Sequence, residues 1–181
     1  AHRALIFRKL KKLEEHISIS VVHPLMLDKG WTFQEGEDVI PDSILGSKYM
    51  HQIYTTAQKD YTGRVTVPVL WDKKKKTIVN NESSQIIRIF NSAFNNLTGN
   101  DDDYYPENIR DQIDEINDDI YHNINNGVYK TGFATTKEAY EETFDALFKS
   151  LDNIERILTL THFLVGNNIT EADWRLFTTL I

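Results

Sequence analysis

The run Val67-Pro68-Val69-Leu70-Trp71-Asp72, together with residues 73–94 after it, constrains this chain most. Residues 67–71 are apolar, with Val67 and Val69 β-branched, so residues 67–72 predict a strand, and Thr77-Ile78-Val79-Asn80 predicts another. The intervening Lys73-Lys74-Lys75-Lys76 reads as a solvated hairpin turn rather than a phosphate site. Asn81-Glu82-Ser83-Ser84 then opens a helix over residues 82–94, with Ile86, Ile87, Ile89, Phe90 and Phe94 on its apolar face. This order, strand–strand–helix, is the organising unit of the first half of the chain.

Around it the periodicity changes twice. Residues 2–15 carry Leu5, Ile6, Leu10 and Leu13 at helical spacing. Residues 17–22 alternate and are β-branched, predicting a strand. Residues 24–41 read as loop, punctuated by Gly30, Gly36 and Pro41, and residues 47–61 as a helix over Tyr49, Met50, Ile53 and Tyr54. Residues 95–103 are polar and acidic and contain Gly99, which predicts a linker between domains spanning 1–94 and 104–181. Beyond Pro106 every signal is helical. Ile109, Ile113, Ile116, Ile120 and Ile124 predict one long helix, and Tyr140, Phe144, Leu147, Leu151, Ile154 and Leu158 a second. Thr170-Glu171-Ala172-Asp173 opens a third: Thr170 can cap it and Asp173 can complete a capping box, while Ile169 can staple onto Trp174.

Composition narrows the function classes. Of the 181 residues 40% are hydrophobic and 26% charged, as in an ordinary folded domain. A net charge of −7 argues against a general nucleic-acid or membrane-surface binder, because a phosphate backbone needs a basic face. No apolar run approaches the roughly 20 residues that span a bilayer. The absence of cysteine excludes an internal disulfide framework and predicts an intracellular, cytoplasmic fold. Six histidines are scattered without metal-ligand spacing, and Asp101-Asp102-Asp103 reads as a solvated loop, so no metal is expected.

Four segments, in order, carry a specific resemblance: HPLMLDKGWTF, TVPVLWDKKKKTIVNNESSQIIRIFN, NNGVYKTGFATTKEAYEE and FLVGNNITEADWRLFTTLI. Together they resemble the glutathionyl-hydroquinone reductases, the Xi-class, omega-like glutathione transferases, from the first residue to the last. The resemblance implies an α/β thioredoxin-like N-terminal domain followed by an all-α glutathione-transferase C-terminal domain. In that family the Ala1-His2-Arg3 segment follows a Cys-Pro-Trp motif. The expectation is therefore an internal fragment. Its N-terminal domain would lack its first strand, its C-terminal domain would be truncated, and the nucleophilic cysteine would lie upstream of Ala1. Such a fragment is expected to be inactive by itself.

The resemblance also implies a site. A cis Pro68 would leave the Val67 backbone free to pair with the cysteinyl backbone of glutathione, as an added strand. Glu82 and Ser83 stand where exposed N–H groups and the positive end of a helix dipole favour a carboxylate. The Ser83 hydroxyl and N–H suit the γ-glutamyl carboxylate, and Glu82 suits its ammonium. Arg64 offers a bidentate guanidinium and Trp31 an indole N–H with an apolar wall, and the family uses both for glutathione. Tyr129 is expected to face the aromatic second substrate and hydrogen-bond a quinol oxygen. Asp173 is expected to be a structural cap, and His2 a packing or capping residue.

The implied reaction is reduction of aromatic glutathione conjugates to hydroquinones through a cysteine–glutathione mixed disulfide. Glutathione is the co-substrate, no tightly bound cofactor takes part, and a homodimer is the implied assembly. Neither nucleic acid nor membrane is an expected partner. Two alternatives stay open on the residues: an omega-type thiol transferase or dehydroascorbate reductase, and a non-catalytic interaction module of the same fold.

Overall fold

A computed structural model describes residues 1–181 and divides the chain into two compact units, Ala1 with Arg3–Phe90 and His2 with Asn91–Ile181. Helix α1 spans His2–Leu10, α2 Met50–Ala57 and α3 Ser83–Ser92, all in the first unit but for His2, Asn91 and Ser92. A two-stranded antiparallel sheet, β1 Leu70–Asp72 and β2 Thr77–Asn80, precedes α3.

Helix α1 is shorter than the apolar spacing predicts. It stops at Leu10, and Lys12 turns back with φ 55°. Arg8 fixes the turn, donating from Nε to the Ile17 carbonyl (2.6 Å) and from Nη2 to the Glu14 carbonyl (2.9 Å). Lys9 and Glu14 close it with an ion pair at 2.7 Å. The predicted strand over 17–22 does not form: only Val21 pairs, with Ile40, through hydrogen bonds of 2.8 and 3.1 Å. The Ile17 carbonyl accepts from Arg8 Nε and not from a neighbouring strand.

The approach to α2 is built on carboxylate and amide acceptors. Asp42 Oδ1 accepts from the N–H groups of Ile44 (3.0 Å) and Leu45 (3.2 Å), and Oδ2 from that of Ser47 (3.0 Å). Burial opposes ionisation of Asp42, but these three amide bonds outweigh it and hold the carboxyl below its usual range. Gln52 Oε1 then accepts from Lys48 N–H (2.7 Å) and Tyr49 N–H (2.9 Å), so the Gln52 side chain reaches back to the backbone that opens α2. It buries Met50, Ile53 and Tyr54, against which Val22, Trp31, Phe33, Val65, Val67 and Trp71 pack.

The hairpin forms with Lys73–Lys76 as its turn. Asp72 Oδ1 accepts from the N–H groups of Lys74 and Lys75, both at 2.8 Å, and Lys76 has φ 52°. The first strand begins at Leu70 rather than at Val67, with a bulge between Leu70 and Trp71. Pro68 has no N–H to give a ladder.

In the second unit Asn95–Thr98 forms a short helix, α4, ended by Gly99 in the left-handed region at φ 63°. The isoleucine stripe is not one helix. A 3-10 turn at Glu107–Ile109 leads into α5 (Arg110–Asp119), a π segment occupies Ile120–Asn125, and α6 is Gly127–Gly132. Asparagine side chains hold the π segment open. Asn123 donates to Asp119 Oδ1 (2.7 Å), and Asn125 donates to Thr179 Oγ1 (2.6 Å) and to the Arg175 carbonyl (3.3 Å). Ile113, Ile120 and Ile124 remain fully buried across the change of pitch.

Helix α7 spans Lys137–Leu160 and opens with Thr136 Oγ1 accepting from Ala139 N–H at 3.2 Å. Only the middle of its apolar stripe is core: Leu147 and Ile154 are buried, whereas Tyr140 and Leu158 are exposed. Helix α8 spans Glu171–Leu180. Its Glu171, buried, accepts from Asn117 Nδ2 (2.9 Å) and pairs with Arg175 (3.2 Å), joining α5 to α8 inside the core formed by Ile113, Ile120, Ile124, Leu147, Ile154 and Leu176. No helix is long and apolar enough to cross a membrane.

Candidate functional site

In the first unit the residues singled out by sequence gather on two segments that flank the hairpin. The first is 64–68. The Val67–Pro68 peptide is cis, and Val67 packs against the cluster of Met50, Ile53 and Tyr54. No hydrogen bond within the chain engages the N–H or the carbonyl of Val67. Arg64 is exposed; its carbonyl accepts from the Tyr61 hydroxyl at 2.8 Å, which leaves the guanidinium directed by no other side chain. Arg64 and Val67 are three residues apart, so their Cα atoms lie within about 11 Å of each other.

The second segment is the start of α3. The Glu82 carbonyl accepts from Gln85 N–H (3.0 Å) and Ile86 N–H (2.9 Å), the first helical bonds. Its carboxylate Oε1 accepts from the N–H and the hydroxyl of Ser84, both at 3.1 Å, and from the Ser83 hydroxyl at 3.4 Å. Glu82 is exposed and Ser83 buried. The cap is thus made by a carboxylate in its favoured place, at the positive end of the helix dipole.

Trp31 belongs to the same apolar cluster as Val67, and its carbonyl accepts from Met50 N–H at 2.9 Å, which fixes it to the first turn of α2. Trp31 and Val67 therefore share one cluster, while Glu82 and Ser83 share one cap. Arg64 is brought near them only by its chain neighbours.

Tyr54, Asn81 and Arg3 connect these parts, and the sequence alone assigns that role to none of them. Tyr54 is expected there only as an apolar position of a helix, yet its hydroxyl reaches Thr66 and Asn81. Arg3 Nη1 donates to Ser83 Oγ at 3.0 Å. A signal for Arg3 exists: a cation in the first turn of a helix opposes the dipole and so calls for a partner elsewhere.

In the second unit Tyr129 lies on α6, one turn before Phe133. Their rings are nearly parallel, 9° apart with centroids at 6.4 Å, and both are exposed, at 64% and 78%. Asp173 is a structural cap: Oδ2 accepts from Thr170 N–H (2.8 Å) and Thr170 Oγ1 (3.0 Å). No group of histidine or carboxylate side chains is arranged to hold a metal ion.

Residues 1–93 match the N-terminal domain of glutathione S-transferases, and residues 137–181 match the C-terminal domain. The chain belongs to the glutathione S-transferase family. Within it the similarity runs to glutathionyl-hydroquinone reductases: the chain is 58% identical to glutathionyl-hydroquinone reductase PcpF of Sphingobium chlorophenolicum, over all of its own length and 58% of that protein's. The glutathione-bound structure of YqjG, a glutathione transferase homologue from Escherichia coli K-12, superposes with a TM-score of 0.97 at 54% identity, covering 99% of this chain and 59% of that one. A glutathione S-transferase omega-like 2 of Schizosaccharomyces pombe is 49% identical over all of this chain and 60% of its own length. The chain thus spans about three-fifths of the proteins it matches. The thioredoxin-like first unit and the helical second unit are the two domains of this family.

Proposed function

We propose that these residues hold glutathione for a glutathionyl-hydroquinone reductase. Val67 offers an unengaged N–H and carbonyl to the cysteinyl backbone of glutathione. The capped start of α3, with Glu82 and Ser83, receives the γ-glutamyl carboxylate and ammonium. Arg64 supplies an exposed guanidinium for a carboxylate, and Trp31 an apolar wall with an indole donor. The observation that carries the reading is the free backbone of Val67 on a segment bonded, through one side chain, to the residue before Glu82.

In the whole protein the chemistry is thiol exchange. None of the 181 residues is a cysteine: these residues serve binding, and the attacking sulfur is that of the cysteine that the family resemblance places ahead of Ala1. A cysteine thiolate placed ahead of α1 would attack the sulfur of the conjugate. Its carbon–sulfur bond breaks, the ring carbon takes a proton, hydroquinone leaves, and the enzyme keeps glutathione as a mixed disulfide. A second glutathione then attacks that disulfide and leaves as oxidised glutathione. Tyr129 would face the quinol ring. A cytoplasmic homodimer is the form this reading takes by resemblance.

The omega-like relative supports a second reading, a thiol transferase or dehydroascorbate reductase sharing the same glutathione residues. Calorimetric titration of this chain with glutathione tests the binding claim, and absence of saturable binding rejects it. Turnover of glutathionyl-menadiol against dehydroascorbate by the whole protein separates the two activities: faster turnover of dehydroascorbate selects the second.

A further inference from the structure

Tyr54 is the most enclosed side chain of α2, 1% exposed, with its ring tilted against that of Tyr61 at 4.9 Å. Its hydroxyl donates to the Thr66 carbonyl (2.9 Å), accepts from Thr66 N–H (3.3 Å) and from Asn81 Nδ2 (3.1 Å), and also lies 3.3 Å from the Thr66 hydroxyl. A phenol has one proton to give and two lone pairs to fill, so every capacity of this group is used. Thr66 immediately precedes Val67, and Asn81 immediately precedes Glu82. The hairpin ladder stops at the Leu70–Asn80 pair. Beyond it, the hydroxyl of Tyr54 bonds the two continuations to a common point on α2.

We propose that Tyr54 and Asn81 are positioning residues for glutathione, fixing the Val67 backbone relative to the start of α3 so that one tripeptide thiol can engage both. This role rests on the glutathione-binding reading and goes beyond it in one respect. Affinity depends on a buried phenol and an amide that act through Thr66–Val67 and Glu82 rather than as the principal contacts. Because the hydroxyl is shared, the two residues must act as one unit.

The test is calorimetry with glutathione on the 181-residue chain, its Tyr54→Phe and Asn81→Ala variants and the double variant, alongside melting midpoints. Tyr54→Phe keeps the ring and removes every bond of the hydroxyl. Asn81 is exposed, so Asn81→Ala touches the shared bond without opening the core. Each single variant is expected to weaken binding roughly fivefold to tenfold, the loss of one well-made hydrogen-bond anchor. The double variant is expected to bind no more weakly than Tyr54→Phe, to within about twofold, and Asn81→Ala to keep the parent melting midpoint. Parent affinity in Asn81→Ala overturns the inference, as does a double variant in which the two losses multiply. If Tyr54→Phe does not fold, Asn81→Ala decides: a fivefold loss at an unchanged midpoint supports the inference, and parent affinity overturns it. A parent chain that does not bind glutathione rejects the binding reading itself, and the inference with it.

Discussion

Asp173 reaches back nine residues to Leu164: its Oδ1 accepts the Leu164 N–H at 2.9 Å while its Oδ2 holds Thr170. One carboxylate thereby caps α8 and closes the loop that leads into it, and buried Leu164 is anchored to the core by the same group. Asp173→Ala removes the cap and strands an amide, so unfolding in urea should show a loss of about 2–4 kcal/mol. Asp173→Asn keeps an acceptor and should lose less.

Arg64 gives a sharper test of the glutathione reading, because its guanidinium serves no other side chain. Arg64→Ala should weaken glutathione binding about tenfold or more, the loss of a charged hydrogen-bond partner worth about 1.5–3 kcal/mol. The melting temperature should stay at the parent value. Unchanged affinity by calorimetry removes Arg64 from the site.

Tyr129→Phe separates the two substrates. In the whole protein the variant should slow turnover of glutathionyl-menadiol while glutathione affinity stays within about twofold, since the loss is a single phenol hydrogen bond. Equal kinetics for parent and variant dismiss the role.

Asp42 makes stability depend on pH in a defined direction. Its folded-state pKa is lowered by the amide bonds from Ser47, Leu45 and Ile44, which outweigh burial. The unfolded chain therefore binds the proton more readily. The contribution is full above the unfolded value of about 4 and is lost as pH falls through the lower folded value. Asp42→Asn should cost stability at neutral pH, and the gap from parent should close as urea midpoints are tracked below about pH 4.

Local chemistry explains which elements are legible in the sequence. The hairpin is legible because four lysines stand between an apolar run and a β-branched one, and Asp72 has the side chain to cap the turn. The Thr170–Asp173 box is legible for the same reason. The strand expected at 17–22 is absent because alternation reports a preference and not a partner, and within the segment only Val21 finds one, at Ile40. The isoleucine stripe hides the π segment, since Ile113, Ile120 and Ile124 all stay buried while asparagines change the pitch between them. At the candidate site, residues with a local reason to bind are visible. Tyr54 is not, because its role lies in a hydroxyl meeting Thr66 and Asn81, partners 12 and 27 positions away.

The π segment has a geometric outcome for everything after it. A residue advances an α-helix by about 100°, so one additional residue in a turn swings the later side chains around the axis by about that angle. The Tyr129–Phe133 ring pair follows that segment in the chain, so a change of pitch there bears on where the pair faces. Deleting a single position within Ile120–Asn125 would re-aim both rings together, leaving their mutual stacking intact while turning the pair toward a different quarter of the surface.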